Sequence, residues 1–135
     1  MPLEYRIDPT RQVVFVKAVG TMTDDEVFGY QREVWSRPEV AGFDELIDMS
    51  DVQRIALPST DRVRQLAELS ARMDSAWPAR LAIIAPGDHA YGLARMYAAL
   101  REMSPGATRQ VLVFRTRQAA LAWLGIEEFP ASPNG

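Results

Sequence analysis

The chain has 135 residues, 47% of them hydrophobic and 24% charged, with fifteen basic against eighteen acidic side chains and a net charge of -3. That length and apolar content predict one compact domain, and the slight acidity runs against the basic stripe of a nucleic-acid-binding surface. The absence of cysteine excludes disulfides and thiolate chemistry.

The elements follow in chain order. "EYRID" (4–8) alternates and ends at Pro9. "QVVFVKAVG" (12–20) is rich in β-branched residues and stops at Gly20, so the two runs predict an antiparallel hairpin. "TDDEVFGYQREVWSR" (23–37) opens with Thr23 and has Glu26 three residues on, a capping box. Its apolar face is Val27, Tyr30, Val34 and Trp35, and Pro38 stops the helix.

"FDELIDM" (43–49) predicts a short strand, and "RIALP" (54–58) a brief extended or turn segment. A helix over 59–77 carries Val63, Leu66, Ala67, Ser70, Met73 and Trp77 on its inner stripe. "RLAIIAP" (80–86) is almost wholly apolar, as a strand covered on both faces must be. The following helix has Leu93, Met96, Tyr97, Leu100 and Met103 at helical spacing, and "SPGAT" (104–108) ends it. "RQVLVFR" (109–115) predicts a second buried strand. "TRQAALAWLG" (116–125) predicts a short helix with Thr116 as N-cap and Gly125 as C-cap.

The order is β-β-α-β-α-β-α-β-α, the pattern of an α/β layer with a mostly parallel mixed sheet covered by helices. The segments at 81–85 and 111–114 are expected in its middle. The domain is expected over 1–125, with a tail at 126–135. "MPLEYRID" lacks the basic and apolar regions of a signal peptide. No apolar run approaches the ~20 residues of a membrane span. A cytoplasmic location, without integral membrane association, is the resulting expectation.

Three blocks carry a family resemblance. Gly20, Met22, Thr23 and Glu26 form the first. Leu46, Asp48, Met49 and Val52 in "LIDMSDV" form the second. Ala82-Ile83-Ile84-Ala85, Asp88, Tyr91, Gly92, Arg95, Met96 and Tyr97 form the third and most distinctive. Over residues 3 to 125 the chain resembles SpoIIAA-like proteins of the STAS fold, and more closely a STAS/SEC14 domain-containing sub-branch with no established activity. The resemblance implies a single STAS-like domain acting as a non-enzymatic interaction or regulatory module. The alternative is a carrier or sensor of a small apolar or anionic, lipid-like ligand. Anti-sigma-factor antagonists of this fold carry D-S-S-G after the third strand, with a phosphorylated serine. Here "IALPST" (55–60) stands at that place, Pro58 falls about where the acceptor would be, and Ser59 and Thr60 lie beside it. A phosphate at that helix start would be electrostatically favoured, but Ser59 is more simply an N-cap.

The remaining candidates lie at strand ends, where open α/β sheets bind ligands. Asp48, Ser50 and Asp51 end the third strand; Asp88, His89, Tyr91 and Arg95 follow the fourth. The two groups are expected on one rim. His89 could act as a base, yet no serine or cysteine nucleophile accompanies it, and Asp88 is expected to cap the helix through the N–H of Ala90 or Tyr91. Arg95 is expected to bind an anion or to pair with a carboxylate such as Asp48. Trp35, Trp77, Trp123, Phe28, Met73 and Met96 are expected either to fill the core or to line an apolar pocket. No metal site and no cofactor are expected. The partners expected are a second copy of the chain, another protein or a small ligand.

Overall fold

The structure is a computed structural model, and it describes residues 3–127. A five-stranded sheet has the spatial order β1 (Leu3–Asp8), β2 (Val13–Thr23), β3 (Asp44–Ala56), β4 (Arg80–Ile84), β5 (Gln110–Phe114). β1 pairs antiparallel with β2, and every other pair is parallel. Between the strands lie helices α1 (Asp24–Trp35), α2 (Thr60–Arg72) and α3 (Asp88–Glu102), with α4 (Arg117–Leu124) after β5. Much of the expected tail (128–135) lies outside the described residues.

Alternation along the strands sorts two faces. Val14 and Val16 of β2 pack with Tyr30, Val34 and Trp35 of α1. Met49, Leu81 and Ile83 pack with Ala94 of α3 on the same side. Val13, Phe15, Leu46, Ala82 and Ile84 face the other way, against Ala120, Leu121 and Leu124 of α4. Three helices therefore cover one face, and one helix of eight residues covers the other.

The helix ends follow their caps. Thr23, Ser59 and Thr116 accept from the backbone N–H of Glu26, Arg62 and Ala119. Gly125 ends α4 in the left-handed region at φ 72°. α3 departs from expectation. Gly87 occupies its N-cap position without a side-chain hydrogen bond, and Asp88 is the first helical residue.

Three further expectations are corrected. Gly20 does not end β2. It takes φ 71° beside a register shift, and the strand continues to Thr23, paired with β3. Segments 43–49 and 54–58 are accordingly one strand, and residues 19–23 with 51–56 form a two-stranded ribbon beyond β1 and β4. β4 is buried as expected, but β5 is an edge strand: Leu112 is 39% exposed because β5 has one neighbour and α4 is too short to cover it. Lastly, α2 stops at Arg72. Trp77 lies beyond it, 72% exposed, over Gly42.

Candidate functional site

The sheet face under α1, α2 and α3 is not filled. A cavity of about 100 Å³ runs along β3 between the sheet and the three helices. Its floor is made by alternate residues of β3, Glu45, Ile47 and Met49, with Val16 and Ile83 beside them. Val27 of α1, Val63 and Leu66 of α2, and Leu93 and Ala94 of α3 form the roof. Met22 and Ile55 of the β2–β3 ribbon line it as well, so the ribbon is part of its wall. The ion pair of Arg62 with Asp24, at 2.8 Å, ties α2 to the start of α1, and the guanidinium holds the Asp24 carboxyl below its ordinary range.

The polar groups gather near the start of β3. Glu45 is buried and accepts from Tyr30 Oη at 2.6 Å, Trp35 Nε1 at 3.3 Å and Arg109 Nη1 at 2.9 Å. The Arg109 guanidinium also lies over the Trp35 ring, 4.0 Å from its centroid. Burial pushes the Glu45 carboxyl above its ordinary range, and Arg109 opposes that shift. Burial likewise raises the hydroxyls of Tyr30 and Tyr97. Tyr97 Oη shares a 2.8 Å hydrogen bond with Ser70 Oγ. Glu45 and Tyr97 also border a smaller chamber of about 10 Å³, lined with them by Gln31, Asp74, Arg101 and Arg109.

The residues singled out in the sequence lie elsewhere. Asp48 is 0% exposed, but its side chain turns to the α4 face, where Oδ2 accepts from Arg117 Nη2 at 2.8 Å. Its Oδ1 accepts from the Ser50 N–H, and Ser50 itself is exposed. Asp51 pairs with Lys17 at 2.9 Å. Asp88 does not cap α3; Oδ1 accepts from Arg115 Nη1 at 2.7 Å. Arg115 also stacks on Tyr91 at 3.9 Å, and Arg95 touches the same ring from 5.8 Å. Arg95 does not pair with Asp48, which Arg117 already holds. His89 is exposed and makes no hydrogen bond or ion pair among the described residues.

Asp48 and Asp88 are thus both held from one corner, the β5–α4 connection that carries Arg115 and Arg117. None of these side chains borders the cavity. Ser59 caps α2 and Thr60 opens it; both are exposed. Trp35 and Met73 line the small chamber, while Trp123 packs on the α4 side. Of the six aromatic and methionine residues weighed as a pocket lining, none borders the larger cavity. One signal for it was present in the sequence: Glu45 stands in phase with Ile47 and Met49, a carboxylate on an inward-facing strand position.

Among the described residues no three His, Asp or Glu side chains gather as a metal site, and no helix is long and apolar enough to cross a membrane. No family model matches the sequence, and no curated protein matches it. Among solved structures, the chain is similar to an uncharacterised protein of the DUF3478 family with a SpoIIAA-like fold from Shewanella loihica PV-4. The TM-score is 0.51 at 23% identity, over 83% of each chain. The fold is SpoIIAA-like, as the sequence blocks implied.

Proposed function

We propose that this protein is a non-enzymatic binding module whose ligand is a small apolar molecule held between the sheet and α1–α3. The observation that carries this reading is the cavity. Seventeen residues line it, and only Tyr30, Gln31, Glu45 and Tyr97 bring polar atoms. Close packing is the rule in protein interiors, and apolar cavities of this order take up small apolar molecules.

The exposed groups at the start of α3 support no competing catalytic reading. His89 lacks an orienting partner, and Asp88 is engaged by Arg115.

The test is thermal unfolding with and without 1-octanol. A ligand that binds only the folded state raises the Tm, and the rise grows with the logarithm of ligand concentration above its Kd. The Tm is expected to rise with 1-octanol in the parent protein and to stay fixed in Ala94→Leu, whose side chain occupies the cavity. No rise in the parent protein would refute the proposal.

A further inference from the structure

The polar residues of the cavity collect at one end. Between parallel strands the chain reverses through a helix, so the last turns of the helices lie beside the first residues of the strands. Gln31 stands near the end of α1, Glu45 at the second position of β3, and Tyr97 one turn past Leu93 on α3. Beyond them the wall is apolar, from Ile47 and Met49 to Met22 and Ile55 of the ribbon.

The hydroxyl and indole donors at this end are spent. Tyr30 Oη and Trp35 Nε1 donate to Glu45. Ser70 Oγ donates to the Ala67 carbonyl at 3.1 Å, so in its 2.8 Å bond with Tyr97 it is the acceptor, and Tyr97 has no proton left to offer. One acceptor is not spent. Gln31 is 9% exposed, and its side chain makes a single hydrogen bond among the described residues, from Nε2 to Met73 Sδ at 3.7 Å. Sulfur is a weak acceptor, and Met73 lines the smaller chamber, not the cavity. No donor reaches Oε1 among the described residues. Nor is Oε1 sealed off: the fully buried side-chain atoms without a partner all belong to Arg101 and Arg109. An amide so nearly buried, with an open oxygen and a half-used nitrogen, is uncommon in a native interior, where the large majority of such groups are paired.

We infer, given the cavity reading above, that Gln31 selects the ligand: the cavity takes an aliphatic molecule with a hydroxyl at one end, and that O–H donates to Gln31 Oε1. The chain then lies over Ile47 and Met49, toward the ribbon. A ligand whose oxygen can only accept gains nothing from Gln31 Oε1, and on entering it loses its hydrogen bonds with water.

The experiment is calorimetric titration of the full chain with 1-octanol and 1-methoxyheptane. The two are isomers, and only the alcohol has an O–H. The parent protein is expected to bind 1-octanol at least about fivefold more tightly, the worth of one hydrogen bond. Gln31→Met keeps the length of the side chain and removes its amide. In that variant the preference is expected to vanish, while affinity for 1-methoxyheptane stays at the parent's. Equal affinity for the two isomers in the parent protein, a comparison that needs no variant to fold, would overturn the inference and leave the cavity reading intact. So would a preference for the alcohol that survives in Gln31→Met. Binding of neither isomer to the parent protein would overturn the cavity reading and this inference together.

Discussion

Arg109 donates through Nη1 to Glu45 Oε1 at 2.9 Å, bridging 64 residues of sequence and holding a carboxylate that borders the cavity. Both side chains are almost wholly buried. A buried pair of this kind is costly to break from one side, because the charge left behind loses its compensation. Arg109→Met should therefore lower stability by about 3–5 kcal/mol. The double variant Glu45→Leu with Arg109→Met should lose clearly less than the sum of the single changes. Urea unfolding of the four proteins checks this, and strict additivity would show that the pair is not coupled.

The Glu45 carboxyl also sets a pH dependence. Burial raises its folded-state pKa above the ordinary 4.5, so the folded protein holds this proton more tightly than the unfolded chain. Its contribution to stability is complete below 4.5 and is lost as pH rises through the folded value. Glu45→Gln removes that titration. Relative to the variant, the parent should lose stability as pH rises from 4.5 toward neutrality. Parallel stability curves for the two proteins would contradict this.

Ala94 lies on α3 at the cavity wall. In a well-packed core, Ala→Leu forces side chains off their rotamers and costs about 1–3 kcal/mol. Here the added carbons enter open space and bury apolar surface. Ala94→Leu should stay within about 1 kcal/mol of the parent, because burial of the new methyl groups offsets the side-chain entropy lost. Denaturant unfolding decides; a loss above that range would mean that the space is not available.

Asp48 separates a structural role from a binding one. It is buried, but on the α4 face, and it ties Arg117 and the Ser50 N–H. Asp48→Ala should cost about 1–3 kcal/mol, the range for losing hydrogen bonds to a buried charged group. Its affinity for 1-octanol should match the parent's. Arg95→Ala should change neither stability nor binding. A loss of octanol affinity in either variant would place the site on the rim after all.

The helix caps, β4 and the order of elements were legible in the sequence because they are local. Thr23, Ser59, Thr116 and Gly125 each act within their own turn. What was not legible depends on partners distant in sequence. Gly20 reads as a strand end, yet pairing with β3 carries β2 past it, and the freedom of glycine at positive φ admits the shift in register. The apolar run of β5 reads as central, but sheet order puts it at an edge. Asp88 reads as a cap, but Gly87 precedes it at the turn, and Arg115 from the next strand end takes its carboxylate. The cavity was the least legible feature. Its lining residues are visible as an apolar stripe, but whether facing side chains meet or leave a gap is decided by three helices at once. Arg101 and Arg109 show the same limit: nothing local says that an arginine near the end of a helix will be 2% exposed.

The central claim is that an apolar ligand enters between the sheet and α1–α3, and methyl NMR titration with 1-octanol tests it most directly. Ile47, Met49, Ile83 and Leu93 line the cavity, while Leu121 and Leu124 pack on the opposite face. Saturable shifts at the first four with silence at the last two are the predicted result. Silence at all six, or shifts led by Leu121 and Leu124, would contradict the account.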